Sequence, residues 1–339
     1  MGYIDKCENF LEKEFNKKVL MVSSGTAALE IAAFLSGIKD GDEVIVPSYT
    51  YVGTASIFVK FGAKIKFIDI KRNMCMNEDC IESAITKKTK AIIVMHYNGV
   101  PCNMRKIMQI AKKYNLKVIE DNAQGIFGKY EGQYLGTIGD YGCISFQKFK
   151  NFNCSEGGAI ILNSEEEYIK AYDYINCGTN RYEFFNNQVE NYSWQFLGSN
   201  YRMNEIAAKF LYKQFLKKDK IINYRKKLWN NYYKKLNKYF EVAEEKGTAN
   251  TFYIICKDDT QRTDLIKKFN LTTHFYPPLH NTKAGLKYGE FVGNPKLTNY
   301  LSYSLLRLPL NSQLSLHKQN KLIKNIIKYA KEKNDLFKK

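Results

Sequence analysis

Among the residues of this 339-residue chain that could do chemistry, Lys150 stands first. It lies in SFQKFKNFNCSEGGAIIL, over 145–162. A short β-type run over 142–146 delivers the hydroxyl of Ser145 and then Lys150 into a polar loop. Glu156-Gly157-Gly158 closes that loop into a second apolar run over 159–162. A lysine at the mouth of a sheet forms a Schiff base with an aldehyde when burial or a neighbouring cation lowers its pKa. Most lysines in a lysine-rich chain are solvated surface, so the surrounding residues must decide.

Three further groups bear on that decision. Ser23-Ser24-Gly25-Thr26 separates a predicted strand over 19–22 from a predicted helix over 27–35. Small hydroxyl residues and glycine between a strand and a helix form an anion site, because free N–H groups and the helix dipole face the ligand. An ordinary N-cap accounts for Ser24 and Thr26 equally well. Tyr51 follows a buried-type strand over 43–46, in Pro47-Ser48-Tyr49-Thr50-Tyr51. Asp121 follows a strand over 117–119, in Glu120-Asp121-Asn122-Ala123-Gln124. An acid at that point either caps the next turn or holds a protonated ring nitrogen.

The elements that must position these groups alternate. A helix over 3–15 comes first, followed by the strands over 19–22, 43–46, 64–68, 91–95 and 117–119. Helices over 27–35, 54–61 and 104–114 lie between them. Such alternation predicts a parallel sheet covered on both faces, with ligands beyond the carboxyl ends of its strands. A helix over 165–175, a polar and aromatic stretch over 177–201 and basic helices over 204–239 follow. The remainder predicts strands over 251–256 and 272–276, a helix over 263–269 and two C-terminal helices. The expected fold class is therefore α/β, with a large domain over 1–220 and a smaller α+β domain over 221–339.

Composition narrows the function. The chain is 45% hydrophobic, enough for a sizeable core. It carries no apolar run of membrane-spanning length and no charged-then-apolar signal pattern. The eight cysteines are scattered without a C-x-x-C pair, which predicts free thiols in a reducing cytoplasm. Four histidines make a histidine-rich metal site an unpromising reading. The net charge of +18 invites nucleic acid, and 213–240 interleaves lysines with aromatics. Its apolar residues recur every three or four positions, however, as on an amphipathic helix whose lysines face water. The charge is also spread along the whole chain, which favours a solvated surface and a small anionic ligand.

An anion-binding turn, a strand-end aromatic, a strand-end acid and then a serine and lysine on one loop form the set that pyridoxal phosphate requires. With SSGTAALE, GDEVIVPSYTYVGTA, VIEDNAQGIFGKYEGQYLGTIGDYGCISF, FKNFNCSEGGAIILN, GSNYRMNEIAA and FYPPLH, the chain resembles the fold type I, pyridoxal-phosphate-dependent sugar aminotransferases of the DegT/DnrJ/StrS group. CGTNRYEFFNNQVENYSW, GEFVGNP and LLRLPL are similar to segments of the transaminases that make dTDP-4-amino-4,6-dideoxyhexoses.

The resemblance implies a large, mostly parallel-sheet domain and a smaller α+β domain. It implies that Lys150 carries the cofactor aldehyde, with Lys148 as a rival whose spacing does not match. Asp121 would pair with the pyridine nitrogen, Gln124 would lie beside the phenolic oxygen, and Tyr51 would stack on the ring. Gly25, Thr26 and Ser145 would hold the phosphate. Asn200 would reach the phosphate of a neighbouring subunit, making the active unit a homodimer with shared sites. His96, Arg181, Tyr276 and His280 would meet the sugar nucleotide or the donor carboxylate. The implied reaction moves the amino group of L-glutamate to C4 of a dTDP-4-keto-6-deoxyhexose. The alternatives are a 3-keto or a GDP- or UDP-linked sugar, or a paralogue that binds pyridoxal phosphate without turnover. Relatives that dehydrate carry histidine where this chain has Lys150. Members usually start earlier, with a strand and a glycine-rich turn, and Met1-Gly2 falls inside that turn. The geometry around the substrate is therefore expected to differ.

Overall fold

The computed structural model describes residues 1–271 and 277–333. The predicted strand over 272–276 lies outside them. Eight strands form the main sheet: β1 (Lys18–Val22), β2 (Glu43–Pro47), β3 (Lys64–Ile68), β4 (Thr89–Met95), β5 (Lys117–Asp121), β8 (Tyr141–Ser145), β9 (Gly158–Leu162) and β12 (Gly289–Phe291). Between β5 and β8 a small hairpin joins β6 (Lys129–Tyr130) to β7 (Gln133–Tyr134). The sheet order is β1-β9-β8-β5-β4-β2-β3-β12. β9 pairs antiparallel with both β1 and β8, while every other pairing in this sheet is parallel. The carboxyl ends of β1, β2, β4, β5 and β8 therefore share one edge, and the amino end of β9 meets them there.

The strands read as near-continuous apolar runs because both faces are covered. All five residues of β2 and all five of β9 are buried. One face carries α2 (Gly25–Leu35), an alanine-rich helix whose residues 27–33 are all buried. α1 (Tyr3–Phe15) buries Cys7, Leu11 and Phe15, one helical turn apart. Cys7 Sγ lies 3.4 Å from the carbonyl of Ala208, and Phe10 stacks on Phe215 with centroids 5.0 Å apart. Both partners belong to the helix Glu205–Phe215.

The C-terminal part builds a second, antiparallel sheet from β10 (Glu241–Val242), β11 (Phe252–Ile255) and β13 (Leu305–Leu308). The basic helix Lys218–Leu236 lies against it, burying Leu228, Trp229, Tyr232 and Leu236. Lys226, Lys227, Lys234 and Lys235 are exposed, as the amphipathic spacing predicts. Trp229 and Tyr232 pack on Phe252 with centroids 5.3 and 5.0 Å away. The two sheets share one core, in which Ile45, Val94 and Met95 join Leu228, Phe252 and Leu306. The C-terminal part is not wholly separate, because β12 extends the edge of the main sheet beside β3. Three residues, Gly289–Phe291, carry too little pattern for the sequence to reveal that strand. Among the described residues no helix is long and apolar enough to cross a membrane.

The turn before β8 tolerates no side chain at Gly142, where a Cβ would stand 2.0 Å from the carbonyl oxygen of Gly136. Overpacking against rigid backbone costs about 1–3 kcal/mol. Gly142→Ala is expected to lower the unfolding free energy by that amount, seen in urea titration as a lower midpoint at unchanged slope.

Candidate active site

The carboxyl ends of β1, β2, β5 and β8 lie along one cleft edge of the sheet, and each contributes a group. After β1, Ser24 caps α2 by accepting from the N–H of Ala27 at 3.0 Å. The helix begins at Gly25, so first-turn amides have no carbonyl one turn back. Those N–H groups, the dipole and the hydroxyl of Thr26 suit an anion. The N-cap reading therefore holds for Ser24, while Gly25 and Thr26 lie in the first turn and take no part in the cap. Ser145 ends β8 directly beside this turn: a Cβ on Gly25 would lie 2.8 Å from the Ser145 Cβ. Gly158 opens β9 so close beneath that a Cβ would fall 2.3 Å from the Ser24 carbonyl carbon. Gly25, Thr26 and Ser145 are thus brought together over a floor that only glycine permits.

Tyr51, 50% exposed, projects beyond β2, and its ring lies 2.9 Å from where a Cβ on Gly53 would stand. The same glycine approaches the Thr26 hydroxyl, so the aromatic ring borders the anion turn.

Asp121 ends β5 and is 5% exposed. Its Oδ2 accepts from the Thr54 hydroxyl at 2.7 Å and its Oδ1 from the N–H of Ala123 at 3.2 Å. With its proton committed to Asp121, Thr54 accepts from the Thr50 hydroxyl at 2.9 Å. These partners are neutral, so they orient the carboxylate without cancelling its charge, and a buried carboxylate favours a cationic partner. Asp121 therefore does more than cap the next turn. Period-two alternation sends its neighbour the other way. Glu120 is fully buried and accepts from the N–H groups of Gly136, Ile138 and Gly139 and from His96. Burial alone would raise its pKa, but these bonds hold its carboxyl below the usual range.

Lys150 sits on a loop pinned by paired backbone bonds. Lys148 N–H donates to the Ser155 carbonyl at 3.0 Å, and Lys150 N–H donates to that of Gln147 at 2.9 Å. Lys150 is half-buried, and its ammonium end is set deeply enough that desolvation lowers its pKa to about 8. The Asp121 carboxylate opposes that shift and the Arg307 guanidinium adds to it. Lys148 is exposed to solvent. Arg307, on β13, donates through Nε to the Tyr97 hydroxyl at 2.9 Å. Residue pattern gives no sign that an arginine of the second sheet reaches this cleft; only the packing of the two sheets brings it there.

Gln124 is 7% exposed, and its Oε1 accepts from the N–H of Asn98 at 2.8 Å. The substrate candidates are scattered. His96 lies in the core with no exposed surface. Its Nε2 bonds Glu120 at 2.9 Å and its Nδ1 accepts from the N–H of Cys102 at 3.2 Å. Both ring nitrogens are therefore committed, and none is left for a sugar or a donor carboxylate. His280 meets the Ser48 hydroxyl through Nδ1 at 2.6 Å, while its buried Nε2 has no partner among the described residues. Burial lowers its pKa against the opposing charge of Asp69. Arg181 opens the short helix Arg181–Phe185, its guanidinium 4.5 Å from the Phe185 ring centroid. Asn200 is exposed and bridges Asn176. Tyr276 lies outside the described residues.

The residues present fit pyridoxal phosphate. An anion cup, a bordering aromatic, a buried carboxylate with neutral partners and a lysine of lowered pKa meet at one edge.

The sequence model of the DegT/DnrJ/EryC1/StrS aminotransferase family matches residues 6–327. GDP-perosamine synthase of Escherichia coli O157:H7 is 32% identical over 324 residues, covering 93% of this chain and 86% of that one. A DegT DnrJ EryC1 StrS aminotransferase from Brucella abortus superposes with a TM-score of 0.88 at 25% identity, over 97% of this chain and 90% of that one. The PLP form of the putative sugar aminotransferase Spr1654 from Streptococcus pneumoniae gives 0.87 at 22% identity, over 98% and 92%.

Lys150 is half neutral near pH 8, where an ordinary lysine needs a pH near 10.5. Mass spectrometry after brief treatment with an amine-acylating reagent at pH 8 should find it modified faster than Lys148, with a rate rising through pH 8.

Proposed function

The chain belongs to the DegT/DnrJ/EryC1/StrS aminotransferase family, which works with pyridoxal phosphate, and from that premise we propose that it aminates a keto sugar nucleotide. The amino group moves from L-glutamate to C4 of a dTDP-linked 4-keto-6-deoxyhexose. One observation carries the reading: a lysine of lowered pKa stands within the field of a buried carboxylate at the carboxyl edge of the parallel strands. The dTDP assignment rests on the CGTNRYEFFNNQVENYSW, GEFVGNP and LLRLPL segments. A second reading, a GDP-linked sugar, is favoured by the 32% identity to GDP-perosamine synthase.

When bound, pyridoxal phosphate supplies an aldehyde that takes up the amino group and a ring that withdraws electrons from the carbon losing its proton. Gly25, Thr26 and Ser145 bind the phosphate, and Tyr51 covers the ring. Asp121, oriented by Thr54, keeps the ring nitrogen protonated. Lys150 Nζ would hold the cofactor's aldehyde carbon and, once free, would take the proton from the donor carbon in one half-reaction and deliver one to the sugar carbon in the other. Gln124 bonds the phenolic oxygen. Arg181, His280 and Tyr276 are left for the substrates.

The active unit is a homodimer in this reading. Trp194, Leu197 and Ile206 are 71%, 81% and 84% exposed, an apolar surface that a second copy would cover. Asn200 lies in the same stretch and reaches the partner's phosphate.

The absorption spectrum of the cofactor-loaded protein tests the reading. A visible band that L-glutamate shifts to the amine form supports it, and a bound band that glutamate leaves unchanged overturns aminotransfer from this donor. Lys150→Ala should abolish turnover while the fold survives. In a panel of keto sugar nucleotides, kcat/KM should be highest for the dTDP-4-keto sugar; a higher value with GDP-linked sugar selects the second reading.

A further inference from the structure

Asn98 carries no charge, lies between β4 and the helix Met104–Tyr114, and is absent from every motif singled out above. Its hydrogen bonds nevertheless run to Gln124 and to the segment 245–251. Its backbone is left-handed at φ 57°, ψ 13°, and the residue is 1% exposed. The N–H donates to Gln124 Oε1 at 2.8 Å. The carbonyl accepts from the Thr248 N–H at 3.1 Å, with the Thr248 hydroxyl oxygen 3.3 Å away. The side-chain Oδ1 accepts from the Thr251 N–H at 2.7 Å, and Nδ2 donates to the carbonyls of Lys246 and Glu245 at 3.3 and 3.5 Å. Asparagine suits this position because it tolerates the left-handed region and offers both a donor and an acceptor.

Two consequences follow from donor and acceptor chemistry. A peptide N–H can only donate, so the atom of Gln124 that meets it is the oxygen. The amide nitrogen is thereby turned away from Asn98, and among the described residues it has no hydrogen-bond partner. A group in the cleft that this nitrogen meets must be an acceptor. The second consequence concerns the segment 245–251, which joins the basic helix and β10 to β11. Its Thr248 hydroxyl donates to the Gln124 carbonyl at 2.6 Å, and the Thr248 carbonyl accepts from Asn151 Nδ2 at 2.9 Å. Asn250 Nδ2 returns to Asn151 Oδ1 at 3.1 Å. Asn151 directly follows Lys150. Arg225 holds the far side of the segment through the carbonyls of Ala249 and Asn250, at 3.1 and 2.7 Å.

We propose that Asn98 is a positioning residue: its N–H orients the Gln124 side-chain amide, and its side chain, by anchoring segment 245–251, holds the Gln124 backbone, so that the amide N–H faces the cofactor's phenolic oxygen. The inference rests on the functional reading above, since it names the acceptor that the amide meets. A donor facing that oxygen stabilises its anion, so loosening the donor raises the pH at which the visible band of the bound cofactor changes. Asp121, Lys150 and Arg307, the charged groups at the cleft, are the same in the wild-type chain and in Asn98→Gly.

The test uses the full chain, with and without pyridoxal phosphate. Asn98→Gly keeps the left-handed backbone and the N–H but removes three side-chain bonds. In the cofactor-free protein it should speed hydrogen exchange at the Thr248 and Thr251 amides by about tenfold. With pyridoxal phosphate bound, the midpoint of the band should rise by about one pH unit. Asn98→Asp keeps the acceptor for Thr251 but adds a carboxylate that raises the band midpoint by itself, so it is read on amide exchange, which should fall between and decides the matter if the glycine variant does not fold. In a Gln124→Ala background Asn98→Gly should add no further shift. An unchanged midpoint, or an equal shift without Gln124, overturns the inference. Unchanged exchange at both amides overturns it as well, whatever the spectrum shows. A wild-type protein that binds no pyridoxal phosphate overturns the functional reading instead, and the exchange measurement then still decides whether Asn98 anchors the segment.

Discussion

A carboxylate buried at the end of β5 is the constraint on which the cleft depends. Asp121 has almost no contact with water and is met by a hydroxyl and a peptide N–H, neither of which cancels its charge. Such a group is tolerable only where the fold holds it and something positive answers it. Holding it falls to Thr54 and Thr50, whose hydroxyls form a short relay ending on the carboxylate. Lys150 feels the same negative charge, yet burial outweighs that attraction and leaves the amine readily deprotonated. The cleft thus sets a buried carboxylate and an amine that gives up its proton more easily than an ordinary lysine within reach of one another's fields, an arrangement suited to chemistry that needs both.

The neighbouring Glu120 shows how a sheet separates two identical charges. Adjacent residues on a strand face opposite ways. Asp121 turns to the cleft, while Glu120 turns inward and collects three peptide N–H groups and the His96 ring. Those bonds fix the turn over 136–139, against which β8 packs so closely that Gly142 admits no side chain. Structural and chemical carboxylates stand side by side in the chain, and each does work the other could not.

The second sheet does more than cover the first. Segment 245–251 threads from the basic helix across the cleft's rim, bonded to Asn98, Gln124 and Asn151, and Arg225 braces it from behind. Arg225 is a nearly fully buried guanidinium whose Nε and Nη2 donate to three carbonyls, and burial pulls its pKa down to about 10. Arg307 arrives from β13 of the same sheet. Residues more than a hundred positions apart therefore set the position and the acidity of one lysine.

Much of this was legible in the chain itself. Alternating apolar runs and helical spacings located the parallel strands to within a residue or two, because periodicity is a local property that burial imposes on every strand and helix. The Ser-Gly-Thr turn, Asp121 and Lys150 were visible because strand ends in such a sheet share one edge. The lysine-rich helix Lys218–Leu236 revealed its dry face by spacing alone. Tertiary structure decided the rest. His96, a plausible ligand by type, is sealed in the core by Glu120, a partner 24 positions away. β9 runs against its neighbours, and β12 joins the far edge of the main sheet, since pairing direction leaves no local trace in so few residues. Asn98, Thr54 and Arg307 are ordinary in sequence and acquire their roles through partners brought close only by the fold, because hydrogen bonds and charges act across space rather than along the chain.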